Sequence, residues 1–330
     1  MGEKRAHEFE LIERYLAPLA TDSGSVGLSD DAAVLTPAPG TDLVLTKDAL
    51  AADVHFFAVD PARSIAQKAL RVNLSDLAAK GAIPCGYLLG LALAPDWNEA
   101  WVADFCAGLK VDQDTYGFPL YGGDTIMVRQ GPVFSVTAIG RVPRGTAVRR
   151  STAEPGDRLY VTGTIGNAAL GLALRLDGTK ARDWGLGENE ISQLLQHYLV
   201  PEPRSVAAEA VRLHARACMD ISDGLVADLA KMLAGSHVGA DVDLDAVPLS
   251  DPARRAVSNE AAFVTAMTGG DDYELLCAVA PDKAAAFERA VAAVGLELAC
   301  IGEVRAGEGG HYRRGGAAYD FGAAAGYSHF

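Results

Sequence analysis

Length, composition and charge exclude several classes of protein for this chain. Its 330 residues leave room for two domains, and a composition of 49% hydrophobic and 22% charged residues is typical of a soluble globular protein. The 29 Lys and Arg against 43 Asp and Glu give a net charge of −14, which argues against nucleic acid or an anionic membrane surface as a partner. An acidic protein that handles anions would need metal ions to hold them.

Cysteine usage and hydropathy indicate a cytoplasmic protein. The five cysteines are scattered and form no CxxC pair, which predicts buried thiols in a reducing compartment. The first eleven residues are charged rather than apolar, and the longest apolar-rich run, residues 85–95, is too short to span a bilayer. We therefore expect no membrane anchor.

Apolar periodicity in the first half of the chain predicts alternating helices and strands. Helices are expected over residues 8–19, 60–81 and 98–109, and strands over residues 42–46, 85–94 and 133–139. Between the last two strands, Gly122, Gly123, Asp124 and Thr125 predict a glycine-rich loop. Such a loop could hold phosphate and metal, or it could be a simple tight turn.

A stretch rich in proline, glycine and charge, residues 140–157, marks a domain boundary that we place near Arg150. The first domain then covers residues 1–150 and the second residues 151–330. In the second domain, strands are expected over residues 158–162, 218–221 and 275–279, and residues 241–245 are expected to form an exposed edge strand. No G-x-x-x-x-G-K-[ST] motif occurs, so any ATP would not be bound through a P-loop.

Acidic residues recur at strand ends, beside glycines and on one buried helix face. They are Asp30 and Asp31, Asp48, Asp76, Asp124, Asp220 and Asp223, and Asp271 and Asp272. Each alone could be a helix cap, a solvated turn or, for Asp76, a salt bridge to Lys80. Together, in a chain without a Cys/His metal pattern, they predict oxygen-ligand sites for Mg²⁺, which bridges phosphates in phosphoryl-transfer enzymes. The residues thus predict a magnesium-dependent enzyme that handles phosphates.

Eight segments carry a family resemblance. They are Ser29-Asp-Asp-Ala-Ala-Val, Thr46-Lys-Asp with Asp53-Val-His-Phe, Val72-Asn-Leu-Ser-Asp-Leu-Ala-Ala-Lys-Gly-Ala, Gly122-Gly-Asp-Thr, Pro155-Gly-Asp with Val161-Thr-Gly-Thr, Met219-Asp-Ile-Ser-Asp-Gly-Leu, Gly269-Gly-Asp-Asp-Tyr-Glu-Leu and Gly326-Tyr-Ser-His-Phe. With these segments the chain resembles the thiamine-monophosphate kinase family over nearly its whole length. The resemblance implies the α/β (α+β) fold of aminoimidazole ribonucleotide synthetase. That fold has two domains with mixed sheets flanked by helices, and its N-terminal domains pair in a homodimer.

The resemblance implies that ATP phosphorylates thiamine monophosphate to thiamine diphosphate. By matching motifs, several Mg²⁺ ions would be held by Asp31, Thr46, Asp48, Asp76, Asp124, Asp220 and Asp223. ATP would be contacted by Gly123, Asp124, Arg150 and Ser222, and the thiamine phosphate by His55, Asp271 and Tyr327. Asp124, Asp220 and Arg150 would be the catalytic residues. His55 taken alone could equally be a half-buried histidine whose ring nitrogens are satisfied.

Two positions depart from the family pattern, and two other functions stay open. Lys47 stands where the family often has Thr or Ser, and Asp271 stands where it commonly has the longer Glu. One alternative is another ATP-using enzyme of the same fold, such as a selenophosphate synthetase-like or hydrogenase-maturation enzyme. Those enzymes tend to carry a reactive Cys or a mobile Gly-rich segment near the N-terminus, whereas the first cysteine here is Cys85. The second alternative is a regulator that binds ATP and metal without consuming ATP.

Overall fold

The structure, a computed structural model, describes residues 6–322 and divides the chain into two compact units. One unit consists of Met1–Leu77 and Ala82–Gly145, and the other of Ala78–Gly81 and Thr146–Phe330. The domain boundary near Arg150 stays a prediction. None of the helices within residues 6–322 is long and apolar enough to cross a membrane.

The first unit contains a four-stranded sheet in the order β1-β4-β2-β3. Its elements are α1 (Glu8–Leu11), β1 (Thr41–Ala51), α2 (Ala62–Ala79), β2 (Ile83–Leu93), α3 (Glu99–Tyr116), β3 (Leu120–Met127) and β4 (Val133–Pro143). Strands β2 and β3 are parallel, and the other neighbouring pairs are antiparallel. One face of the sheet packs on helix α3, as the ring contacts of Phe134 in β4 with Trp101 and Phe105 in α3 show.

The other face of this sheet carries exposed apolar side chains. Because side chains alternate between the faces of a strand, Leu43 and Leu45 of β1 lie on one face together with Leu88 of β2 and Ile126 of β3. Their exposed fractions are 38%, 63%, 38% and 52%. Large apolar side chains that recur on one face in this way typically mark a surface for another protein chain.

The second unit contains a seven-stranded mixed sheet in the order β11-β10-β7-β9-β5-β8-β6. Its strands are β5 (Arg158–Thr162), β6 (Ala217–Asp220), β7 (Gly239–Asp243), β8 (Leu275–Val279), β9 (Leu298–Arg305), β10 (Gly309–Arg314) and β11 (Ala317–Tyr319). Its helices are α4 (Asn167–Leu176), α5 (Lys180–Asp183), α6 (Glu188–Leu199), α7 (Ala208–His214), α8 (Leu225–Ser236), α9 (Asp251–Ala256), α10 (Glu260–Thr268) and α11 (Pro281–Ala293).

The predictions for residues 8–19 and 241–245 are wrong in part. Residues 8–19 do not form one regular helix, because α1 passes into a π-helical segment, Ile12–Leu16, and then a 3₁₀ turn that contains Pro18. The predicted edge strand over residues 241–245 is internal: β7 pairs with β10 on one side and β9 on the other. Its acids Asp241 and Asp243 are exposed as expected, but the sequence analysis does not predict β9 and β10, the strands that flank it.

Candidate functional site

The first group of predicted site residues lies between strand β1 and helix α2. Thr46 Oγ1 donates a hydrogen bond to Asp76 Oδ2, and the backbone N–H of Asp48 donates to Asn73 Oδ1 over 3.1 Å. Burial and the charge of Asp76 raise the pKa of Asp48 to about 6, and Lys47 opposes the rise. Two carboxylates and a hydroxyl that meet at a partly buried point fit an oxygen-coordinated cation, whose charge would relieve their repulsion.

A second group lies on β3, at the opposite edge of the same sheet. The loop predicted for Gly122 to Thr125 is wrong, because these residues belong to β3 and pair in parallel with Leu88 to Leu91 of β2. A Cβ atom on Gly123 would lie 1.9 Å from the carbonyl oxygen of Leu89, so only glycine allows the two strands to approach here. Asp124 follows and is exposed.

A pocket of about 150 Å³ opens beside this edge of the sheet. Asp31 and Asp124 line it together with the backbone of Gly122 and Gly123. Apolar side chains that include Ile12 complete its wall. The pocket therefore brings together three of the predicted residues, Asp31, Gly123 and Asp124. Their carboxylates and backbone N–H groups are suited to a metal-bound phosphate.

The β1 group and the β3 group do not meet within one chain's first unit. Asp48 lies on β1 and Asp124 on β3, and the two strands between them put the residues about 14 Å apart at a strand spacing of about 4.8 Å. They also point to opposite faces, since Asp124 is in lateral register with Ala49, the residue after Asp48. Nowhere in residues 6–322 do three Asp, Glu, His or Cys side chains converge closely enough to hold a metal ion.

His55 lies in the turn after β1. Its Nδ1 accepts a hydrogen bond from the backbone N–H of Ala51 over 3.1 Å, so the neutral ring carries its proton on Nε2. Its carbonyl oxygen accepts from Lys68 Nζ over 2.9 Å. These bonds agree with the simpler alternative of a half-buried histidine with a structural partner, and the contact of His55 with substrate stays a prediction.

Two acid-bearing turns are pressed together in the second unit. Asp220 ends β6 and is only 7% exposed, and Ser222 and Asp223 follow it. The carbonyl oxygen of Ser222 accepts the backbone N–H of Asp271 over 2.9 Å. A Cβ atom on Gly270 would lie 2.2 Å from that same oxygen, so the glycine permits the contact. The structure thus brings the Asp271 turn against the turn that carries Asp220, Ser222 and Asp223, and the roles of these residues stay predictions.

The turn that carries Asp271 is fixed by a buried ion pair that the sequence did not reveal. Asp271 and Tyr273 both adopt left-handed backbone conformations, with φ of 74° and 53°. The next residue, Glu274, is buried and accepts from Arg204 Nε over 2.7 Å and from Thr162 Oγ1 over 2.7 Å. Burial raises the pKa of Glu274, and its bonds to Arg204 and Thr162 oppose that rise. The ion pair holds the Asp271 turn in a conformation that is unfavourable for side chains other than glycine.

Arg150 lies near the start of β6, away from these turns. The exposed Arg150 follows Arg149, which pairs with Ala217 at the start of β6, whereas Asp220 ends that strand. Three residues of strand separate the two ends by about 10 Å. Tyr327 lies outside the described residues. The ATP contact of Arg150 and the substrate contact of Tyr327 stay predictions.

Comparison with known proteins identifies the family. Residues 29–142 match the AIR synthase related protein N-terminal domain, and residues 154–313 match the C-terminal domain of the same group. The thiamine-monophosphate kinase of Caulobacter vibrioides is 42% identical over 307 residues, which cover 92% of this chain and 85% of that protein.

Solved structures agree with this assignment. Thiamine-monophosphate kinase from Stenotrophomonas maltophilia K279a superposes with a TM-score of 0.83 at 38% identity, over 94% of this chain and 98% of the other. AaThiL, solved in complex with AMPPCP and TMP, superposes with a TM-score of 0.76 at 29% identity, over 100% of both chains. The chain therefore belongs to the thiamine-monophosphate kinase family and is built from the two domains of the AIR synthase related proteins.

Proposed function

We propose that the chain transfers the γ-phosphoryl group of ATP directly to a phosphate oxygen of thiamine monophosphate, giving thiamine diphosphate and ADP. The observation that carries the proposal is the full-length likeness to a relative solved with an ATP analogue and thiamine monophosphate. The acid-bearing turns of this chain provide carboxylate oxygens that can bind the metal ions such a reaction uses. The acceptor oxygen is already anionic, so the reaction needs no strong general base.

Catalysis would then rest on positioning and on charge neutralisation. Bound Mg²⁺ would neutralise the phosphate charges that build up during transfer. Its ligands would be Asp31 and Asp124 at the β3 pocket, Thr46, Asp48 and Asp76 between β1 and α2, and Asp220 and Asp223 after β6. Gly123, Asp124, Arg150 and Ser222 would contact ATP, and His55, Asp271 and Tyr327 would contact thiamine monophosphate.

We further propose that the active unit is a homodimer in which the N-terminal sheets pair. Leu45 and Ile126 are 63% and 52% exposed on the uncovered sheet face, and burying the part of each side chain that is still exposed would be favourable by about 1–2 kcal/mol. A second copy would also let the two edge groups, which lie about 14 Å apart in one chain, approach each other more closely. Pairing the β3 edge of one protomer with the β1 edge of its partner would place the β3 group beside the β1 group of the partner subunit, so that Asp124 and Asp48 of the partner subunit could serve one site.

The reducing cytoplasm is the location that we propose for this enzyme. All five cysteines are free, although Cys218 Sγ and Cys277 Sγ lie only 3.4 Å apart on neighbouring strands. Two thiols this close would be prone to form a disulfide in a compartment that favours disulfides.

The acceptor decides between this proposal and its alternatives. The purified chain should be incubated with ATP, Mg²⁺ and either thiamine monophosphate or thiamine, and thiamine diphosphate should be followed by chromatography. We expect product from the monophosphate alone, and only when Mg²⁺ is present. ATP binding without turnover of any acceptor would favour a regulator, and product from thiamine but not from the monophosphate would exclude the proposed acceptor.

A further inference from the structure

Asp228 holds the turn that carries Ser222 and Asp223. Its side chain is 0% exposed, although a carboxylate is costly to bury without partners. Asp228 Oδ2 accepts the backbone N–H groups of Ser222 over 2.9 Å and of Asp223 over 2.8 Å. Asp228 lies in the first turn of α8, and its two hydrogen bonds to the preceding residues fix the backbone of the acid-bearing turn.

Lys231, one helical turn further along α8, connects the buried acid to the exposed one. Its Nζ donates to Asp228 Oδ1 over 2.8 Å and also to Asp223 Oδ2. The Lys231 side chain is 39% exposed and that of Asp223 is 33% exposed, so both can be reached from solvent. One ammonium group is therefore shared between the buried carboxylate of Asp228 and the partly exposed carboxylate of Asp223.

The ammonium group of Lys231 is thus already bonded to one carboxylate oxygen of Asp223 in this structure. The donor chemistry of Asp223 fits a metal ion, but Mg²⁺ would have to compete with Lys231 for that oxygen. Lys231 can give up Asp223 without becoming unpaired, because its bond to Asp228 Oδ1 does not depend on Asp223. The flexible stem of a lysine allows this movement, which the rigid fork of an arginine would hinder.

We propose that Lys231 is a tethered counter-cation of Asp223, which it neutralises until a divalent metal displaces it, so that it lowers the metal affinity of this turn. This inference rests on the proposed function, in which Asp223 is a metal ligand. Lys231 is then a positioning residue, since it acts on the metal only through Asp223.

Metal binding to the full chain without nucleotide provides the test. The probe is Mn²⁺, which takes the same oxygen ligands as Mg²⁺ and whose free ion is measured by electron paramagnetic resonance. Lys231→Met should bind Mn²⁺ about three- to ten-fold more tightly than the unmodified chain, because a competing charge is lost. Lys231→Gln, which keeps a hydrogen-bond donor for Asp228, should do the same, whereas Lys231→Arg should show no such gain.

Lys110→Met is the matched control, because Lys110 pairs with Asp114 on the exposed side of α3 and its loss changes the net charge equally. It should leave Mn²⁺ affinity unchanged. Unchanged or weaker binding in both Lys231→Met and Lys231→Gln would overturn the inference, and so would a gain that Lys110→Met reproduces. Asp223→Asn distinguishes a failure of the Lys231 inference from a failure of the proposed metal role of Asp223. If Asp223→Asn weakens Mn²⁺ binding while the Lys231 variants show no gain, only the Lys231 inference fails. If Asp223→Asn has no effect on Mn²⁺ binding, the proposed metal role of Asp223 fails as well.

Discussion

Mixed dimers of two inactive variants should recover activity. Asp48→Asn and Asp124→Asn each remove one negative charge while keeping side-chain size, and each variant alone should lose about 10²- to 10³-fold in turnover, the usual effect of losing one group that stabilises transition-state charge. If each site takes Asp48 from one protomer and Asp124 from its partner, a heterodimer of the two variants has one site with both wild-type acids. Its rate should then be about half that of the wild type, because the two-fold axis makes two equivalent sites.

The heterodimer can be isolated with two different affinity tags and assayed for thiamine diphosphate. The control is a heterodimer of wild-type and doubly substituted Asp48→Asn/Asp124→Asn subunits, in which every shared site carries one asparagine. That control should be inactive when the site is shared and half-active when both acids act within one chain. An inactive heterodimer of the single variants together with a half-active control would contradict the shared site.

Loss of the buried partner of Glu274 should destabilise the second unit strongly. The side chains of Arg204 and Glu274 are 11% and 3% exposed, and removing one member of such a pair leaves an uncompensated buried charge. Arg204→Met should therefore lower the free energy of unfolding of this unit by about 3–5 kcal/mol, as measured by guanidinium titration. Because the Asp271 turn depends on the pair, we also expect the KM for thiamine monophosphate to rise more than the KM for ATP.

Arg182→Met provides the matched control for this loss. Arg182 is 86% exposed and lies 3.8 Å from Asp183, so its replacement should change the free energy of unfolding by no more than about 0.5 kcal/mol. Replacing both partners, as in Arg204→Met with Glu274→Leu, should recover part of the lost stability, because no unpaired charge remains. A loss in Arg204→Met no larger than in the control would show that the pair does not hold the turn.

The sequence predicted the fold class and most strands because its apolar runs are long and bounded by glycine, proline and acids. Strand β5 was predicted with the bounds that the structure has, and β8 likewise. The Gly122 to Thr125 stretch was misassigned because a pair of glycines favours a turn in isolation. Only the close passage of the Leu89 backbone explains the glycine at position 123, and Leu89 lies on a different strand, 34 residues earlier in the sequence.

The candidate site was predicted by residue type better than by arrangement. The acids recur beside glycines and at strand ends, which can be counted along the chain. Their separation in space cannot be read from the sequence, because the strand order puts Asp48 and Asp124 at opposite edges of one sheet. The supporting residues Arg204, Asp228 and Lys231 belong to no short motif, and only their contacts with the acid-bearing turns reveal them.

The fate of the γ-phosphoryl group tests the central claim most directly. The chain should be supplied with ATP labelled in the γ-phosphate, with unlabelled thiamine monophosphate and Mg²⁺, and both the label in thiamine diphosphate and the nucleotide product should be measured. Direct transfer predicts one labelled phosphate per thiamine diphosphate and an equal amount of ADP. Thiamine diphosphate without label, or AMP in place of ADP, would contradict the account.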